Sequence, residues 1–366
     1  MRKMLRVTLT AVTPVAIVAT TAVAQQPNAA PGARAPVAPL FAAHDPLTFT
    51  IEAPLSTIFK DRGTQRNERP SKLILTGSDG QSAKLDVAIR TRGKTRAERR
   101  ICQFPPLRLD FDTAAHGTVF EKQNALKLVT HCQDDDPQYD QYVLQEYLVY
   151  RAYNLLTDLS FKPRLARVTY VDTDGRRATV TRYAFLLEDD DDMAARNAWQ
   201  ALTVRTIPLQ AVDPQSVALL GVFQYMIGNP DWSLVTVEPG EDACCHNTVP
   251  IGAASGPIFL VPFDFDITGI VNPRYADRLF EARQRNLGIR RVRERVYRGL
   301  CAADELLPST FELFNQKRDA IYAVYREQPG LDAGVLKTTL EYLDEFYATI
   351  NDPRKVRQVF AEGCSP

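Results

Sequence analysis

Histidine is scarce in this chain, and what is missing around it removes several enzyme classes. Only His44, His116, His131 and His246 occur. No two of them have the HExxH spacing that sets two imidazoles on one helix face around zinc. No G-x-S-x-G segment is present, which excludes the nucleophile elbow of an α/β-hydrolase. The six cysteines include no CxxC pair, so the usual spacing of a cysteine zinc site is missing. Net charge is also missing: 44 basic residues balance 44 acidic ones. The chain as a whole therefore lacks the electrostatic footprint of a nucleic-acid binder, and no nucleic-acid partner is expected. Beyond residue 24 no apolar run is long enough to cross a bilayer, so no membrane span is expected in the mature chain.

What is present begins with an export pattern. Arg2, Lys3 and Arg6 precede an uncharged stretch, residues 7–23, that ends in Ala22-Val23-Ala24 before Gln25. A basic start, an apolar core and an A-x-A site predict a Sec-type signal, residues 1–24, cleaved after Ala24. The mature protein is then secreted or periplasmic. No cysteine follows the apolar stretch, so no lipid anchor is expected. Residues 25–45 are rich in Pro and Ala without a period, which predicts a flexible leader. The six cysteines, an even number in an oxidising compartment, read as disulfides. Many pairings are open; Cys102 with Cys132 and Cys301 with Cys364 are expected because each closes a loop of stabilising length. Zinc at Cys244, Cys245 and His246 is the alternative.

Hydrophobic periodicity divides the remainder. Residues 47–54, 72–77, 84–93, 106–112 and 125–131 alternate apolar and polar positions, the pattern of an antiparallel sheet with one wet face. Residues 143–159 switch to a spacing of three to four, an amphipathic helix. The period returns to β over 166–188, with Asp174-Gly175 as a hairpin signal. The acidic run 189–192 reads as a solvated loop. Residues 212–228 form a helix started by Asp213-Pro214 and stopped by Gly228. Further helices are expected over 305–327 and 333–362, and the basic run 283–298 reads as a solvated or ion-paired helix. The layout is α+β and two-lobed, with a β-rich lobe over 46–200 and an α-rich lobe over 201–366.

Chemistry concentrates between residues 228 and 275. Asp231 follows a helix end, so it sits on a loop fixed by the scaffold. The apolar run 258–261 delivers Asp264 and Asp266, which as residues i and i+2 of an extended chain point the same way. Asn247 adds a neutral oxygen. Hard divalent cations take such oxygen ligands. Phosphoryl transfer needs a carboxylate to orient the acceptor together with Asp and Asn to hold Mg²⁺ on the phosphates. His246 reads as a turn residue, and Tyr142, Tyr147 and Tyr150 as packing on a helix face.

Several of these segments, in this order, resemble the spore coat protein H (CotH) kinase-like family. The resemblance covers roughly residues 85–275. It rests on Ile89-Arg90-Thr91-Arg92-Gly93-Lys94-Thr95-Arg96, on Phe104-Pro105-Pro106-Leu107-Arg108-Leu109, and on Leu126-Lys127-Leu128-Val129 followed by an acidic turn and a helix. It continues through Tyr183-Ala184-Phe185-Leu186-Leu187-Glu188, Asn229-Pro230-Asp231-Trp232, Asn247 and Pro262-Phe263-Asp264-Phe265-Asp266. The resemblance implies an atypical protein-kinase-like fold, with an antiparallel β-rich N-lobe and a mainly α-helical C-lobe, that binds ATP with Mg²⁺ or Mn²⁺ between the lobes. Asp231 would be catalytic. Asn247, Asp264 and Asp266 would hold the metal. Arg92, Arg108 and Lys127 would meet the nucleotide phosphates, and Glu188 would lie near the lobe junction. The implied partners are ATP and the Ser or Thr hydroxyls of envelope or extracellular proteins. A departure is Arg108, where the family usually has Lys, and the two are not interchangeable at such a site. The alternatives are a catalytically inactive binding or structural protein of the envelope, and a D-x-D transferase that holds a nucleotide sugar through Mn²⁺.

Overall fold

The computed structural model describes residues 34–76, 82–111, 115–235, 242–253, 256–276, 279 and 288–364. The expected signal, the first part of the leader and the start of the basic run lie outside them. Alternating side chains build a barrel. Seven strands run β1 (Leu47–Ala53), β2 (Arg69–Thr76), β3 (Ser82–Thr91), β4 (Leu107–Phe111), β5 (Ala125–Val129), β6 (Pro163–Asp172) and β7 (Val180–Leu187). Their order is β1-β2-β3-β4-β5-β7-β6, and β6 closes the ring by pairing in parallel with β1, Leu47 opposite Ala166 through Ala53 opposite Asp172. All other pairs in the barrel are antiparallel.

This closure overturns the two-lobed, kinase-like expectation. A closed mixed barrel is not the sheet of a β-rich N-lobe beside a separate helical C-lobe. The alternation over residues 47–131 fixes which side chains face inward, but it is the same for an open and a closed sheet. What decides is the pairing of β1 with β6, which no local pattern encodes. Phe49, Ile51, Leu73, Val87, Ile89, Leu107, Leu109, Leu126, Leu128, Val168 and Leu186 fill the interior. The barrel is therefore a packed core and not a binding cavity. Leu40 and Phe41, in a short 3-10 turn at Pro39–Phe41, are buried against the same cluster. The end of the expected flexible leader is thus part of the fold, held by its apolar side chains.

One end of the barrel carries the Cys102–Cys132 disulfide. Beside it His131 is buried, packs tilted against Phe104 with ring centroids 4.4 Å apart, and places Nε2 2.7 Å from Asp134 Oδ1. Burial holds the imidazole below its usual pKa; Asp134 and Asp140 pull it back up and Arg182 opposes them. The unfolded chain therefore takes up this proton first, and the stability it represents is lost as pH falls below about 6.5. Urea midpoints are expected to fall between pH 7.5 and 5.5, with a shallower fall in His131→Gln. An equal or steeper fall in the variant refutes the assignment.

Seven helices accompany the barrel among the described residues: α1 (Leu55–Ile58), α2 (Gln138–Asn154), α3 (Asp190–Arg196), α4 (Pro214–Ile227), α5 (Leu307–Arg326), α6 (Ala333–Ile350) and α7 (Pro353–Val356). Helix α2 stops at Asn154, short of the expected Leu159, because the Asn154 amide turns to Ser160 Oγ and the Phe161 carbonyl. The acidic run is not a loop: Asp189 caps α3, its side chain accepting from the Asp191 amide. Helix α4 is capped by Asp213, which accepts from the Ser216 amide at 2.8 Å. It ends at Gly228, whose φ of 65° suits glycine. The stretch expected as one helix over 333–362 breaks after Ile350, where Asp352 caps a new turn at Pro353. Residues 288–298 of the basic run form turns, not a helix, and Arg295 lies 3.5 Å above the Tyr342 ring. A small sheet, ordered β10-β9-β8, comprises β8 (Gln200–Ala201), β9 (Thr248–Gly252) and β10 (Ile258–Pro262).

The outer faces of β5, β6 and β7 share one apolar core with α2, α4, α5 and α6, running from Val129 to Phe360. Helix α2 lies between the barrel wall and the later helices. Each Leu or Phe fully buried here contributes about 1.5–3 kcal/mol. The barrel and the helical half are therefore joined by a continuous hydrophobic layer, and the site forms at its rim.

Candidate functional site

A cleft of about 390 Å³ opens where the loop after β3 meets the loops around β9 and β10. The first wall is Arg92, Gly93, Lys94, Thr95 and Arg96; the second is Asp231, Cys245, His246 and Asn247; Asp264 and Asp266 lie between them. Gly93 makes the turn out of β3 at φ 82°, where an L side chain is strained. Arg66 Nη2 donates to its carbonyl at 2.7 Å.

Asp231 is set by the end of α4. After Gly228 turns the chain, the Asn229 side chain accepts from the Asp231 amide at 2.9 Å. Asn247 Nδ2 donates to the Asp231 carbonyl at 2.7 Å and to its Oδ2 at 3.3 Å. His246 Nε2 lies 3.1 Å from Asp231 Oδ1. The carboxylate is thus oriented from both sides, and His246 is a cleft residue more than a turn residue.

Asn247 and Asp264 both occupy the left-handed region, at φ 52° and 61°. Outside glycine, Asn and Asp tolerate it best, at a cost of about 1–2 kcal/mol. Both residues line the same cleft. Asp264 is not in an extended run, as its i, i+2 spacing with Asp266 suggested, because β10 ends at Pro262. The turn is held by the Phe263 amide, which donates to the Asn247 carbonyl at 3.0 Å. The Asp264 amide donates to the Tyr150 hydroxyl at 2.8 Å.

Arg96 is the centre of charge. Nε is 3.2 Å from Asp266, Nη1 3.2 Å from Glu146 and Nη2 3.8 Å from Asp264. Tyr275 OH donates to Asp266 at 3.1 Å. One guanidinium faces three carboxyls. Burial, reinforced by Asp266 and Asp264 and only partly offset by Arg96, pushes the Glu146 carboxyl up to about 8. Burial and Asp264 likewise push Asp266 up to about 6 against the pull of Arg96. Arg96 stays charged, since Glu146 and Asp266 outweigh its burial. Arg92 is pulled the other way: burial lowers its pKa, Asp264 supports the charge and Arg96 opposes it.

The residues singled out from sequence separate into two groups. Arg92, Asp231, Asn247, Asp264 and Asp266 line the cleft together. Arg108, Lys127 and Glu188 do not line it. Arg108 and Lys127 are cross-strand neighbours on the barrel's outer face. Arg108 Nε pairs with Asp110 at 2.9 Å, and Lys127 Nζ with Asp190 at 2.5 Å. Lys127 also sits 5.2 Å from the ring of Phe263, which does line the cleft. Glu188 accepts from Arg196 at 2.9 and 3.0 Å and from the Lys162 amide at 3.0 Å, a buried brace at the end of β7. Sequence reasoning gave Arg96 and Glu146 no role in the site, and read Tyr150 as packing and His246 as a turn residue. The signal for Glu146 was that it is the only charge in residues 142–150 of the helix.

Among the described residues, the only three His, Cys, Asp or Glu groups with ligand atoms within 4.8 Å of one another are Cys301, Asp304 and Cys364. That pair of cysteines is a disulfide, as is Cys244 with Cys245, which removes zinc at either place. Asp231, Asp264 and Asp266 are therefore not a closed carboxylate cage. They fit a different kind of site. Mg²⁺ is commonly held by one or two carboxylates with substrate phosphates and water completing the shell. Asp264, with its side chain 39% exposed, and Asn247 offer such oxygens on the cleft face. No helix among the described residues is long and apolar enough to cross a membrane. Comparison with known proteins finds no family profile that matches the chain and no curated protein that matches it.

Proposed function

We propose that the cleft is a divalent-cation-dependent phosphotransferase site that moves phosphate from ATP to a Ser or Thr hydroxyl of a protein in the oxidising compartment where the disulfides form. One observation carries this reading: Asp231, clamped by Asn247 and His246, lines one cleft together with Asp264 and Asp266 and with the basic residues Arg92, Lys94 and Arg96. Asp231 accepts the proton of the acceptor hydroxyl as its oxygen attacks the γ-phosphorus, and the bond from that phosphorus to the β-γ bridging oxygen breaks, releasing ADP. Arg92 and Lys94 supply positive charge to the phosphate oxygens. Asp264 and Asn247, with Asp266 behind them, would hold the metal. A bound divalent cation would neutralise charge on the phosphates.

A second reading, nucleotide binding without turnover, has its own observation: Asp266 is already engaged by Arg96 and by Tyr275. Incubation with γ-labelled ATP and Mg²⁺ or Mn²⁺ separates the two. Label is expected on a protein hydroxyl, and chelation of the metal with EDTA is expected to reduce it to background. ATP binding by calorimetry without transferred label supports the second reading. Absence of both transfer and ATP binding sinks both, and binding of a UDP-sugar instead points to glycosyl transfer.

A further inference from the structure

The three disulfides do not do the same work. Cys102–Cys132 and Cys301–Cys364 join residues 30 and 63 apart in sequence. Each removes loop entropy from the unfolded chain, and that effect grows with loop length. Cys244 and Cys245 are neighbours, so their bond closes no loop and staples nothing distant. Its effect is confined to the backbone it sits on.

That backbone carries the cleft. Cys245 lines it, and the next two residues are His246 and Asn247, which hold the Asp231 carboxylate. The segment is laced to the one bearing Asp231. The Ser233 amide donates to the His246 carbonyl at 3.0 Å, the His246 amide donates to Ser233 Oγ at 2.9 Å, and Thr248 Oγ1 donates to the Ser233 carbonyl at 2.8 Å. On the outer side, the Cys244 amide donates to the Val204 carbonyl at 2.7 Å. Both cysteines are buried in an apolar cluster with Trp232 and Leu234.

We propose that the Cys244–Cys245 disulfide is a positioning element of the cleft: it fixes the backbone that aims His246 and Asn247 at Asp231, so the site is competent when oxidised and loses competence when a dithiol reduces it. The inference rests on the phosphotransferase reading for its activity readout. The step balances. A thiolate of the dithiol attacks one sulfur and the Cys244–Cys245 bond breaks. The second thiol resolves the mixed disulfide, leaving two cysteine thiols and the oxidised, cyclic reductant. Two electrons and two protons pass to the protein.

Trp232, next to Asp231 and packed with the disulfide, is a built-in reporter; the only other tryptophan is Trp199. In full-length Trp199→Phe protein, dithiothreitol is expected to change Trp232 emission and to lower label transfer by about ten- to a hundredfold, as loss of outer-shell support does. Reoxidation is expected to reverse both. Cys244→Ser/Cys245→Ser is expected to show the same loss without reductant and no further response to it. Cys301→Ser/Cys364→Ser is expected to retain the response. Full transfer by the Cys244→Ser/Cys245→Ser protein overturns the proposal. If the wild type transfers no label in either state, the phosphotransferase reading fails separately. Hydrogen exchange at the His246 and Ser233 amides then decides: faster exchange on reduction supports the positioning role, and unchanged exchange overturns it.

Discussion

Asp231→Asn is expected to lower phosphate transfer by about 10²- to 10⁴-fold, the range for loss of a positioned general base, while leaving ATP affinity and unfolding midpoints close to wild type. The substitution is isosteric. The new amide can turn its oxygen to Asn247 Nδ2, which now donates to Oδ2 at 3.3 Å. Its nitrogen then faces His246, which accepts when Nε2 is the unprotonated ring atom. The loop and its contacts are kept, and only the ability to take a proton is lost. Because the proposed mechanism has Asp231 act on the acceptor hydroxyl, the loss should appear in kcat with KM for ATP little changed. Transfer within a factor of ten of wild type would remove Asp231 from the chemistry.

The second large effect is on stability. Arg96→Met is expected to destabilise the protein by about 3–5 kcal/mol, the cost of breaking a buried ion pair by deleting one partner. Glu146 and Asp266 are 2% and 6% exposed and both rely on this guanidinium. Glu146 Oε1 already has no hydrogen-bond partner. Without Arg96 two buried carboxyls face each other with nothing between them. Glu146→Leu added to Arg96→Met should recover part of the loss, since it removes one of the two buried carboxyls left without a cation while Asp266 keeps its Tyr275 hydrogen bond. Urea unfolding of the two proteins measures both quantities. A single variant as stable as wild type means that the cluster is open to water and that Arg96 is not its centre.

The same cluster shows where sequence reading stops. The five alternating segments between residues 47 and 131 coincide with the barrel's first five strands to within three residues at each end, because a period of two is a local property. Helix α4 was equally legible from Asp213, Pro214 and Gly228, each acting within one turn. The ring closure was not legible, since Leu47 finds Ala166 only through the assembled sheet. In the site, Asp231, Asn247, Asp264 and Asp266 could be picked out as oxygen-bearing residues on loops next to regular elements. Their cationic counterpart could not be chosen from sequence. Arg92, Arg108, Lys127 and Arg96 are equally basic on paper, and only the fold sends Arg108 to Asp110 and Lys127 to Asp190 while Arg96 turns inward to Glu146. Glu146 is 120 residues from Asp266 in the chain, and no spacing rule connects a carboxylate on α2 with one beyond β10.

Ring closure also dictates an order of events. The first strand emerges early from the ribosome, yet its partner on one flank is the sixth. Until residue 172 is free, β1 keeps a row of unpaired amides and carbonyls, the kind of exposed edge on which chains associate. Non-local pairing of this type is slow to form. The nascent chain must therefore be shielded or kept extended for as long as its opening strand waits, and conditions that delay delivery of β6 should favour aggregates in which β1 of one molecule pairs with another.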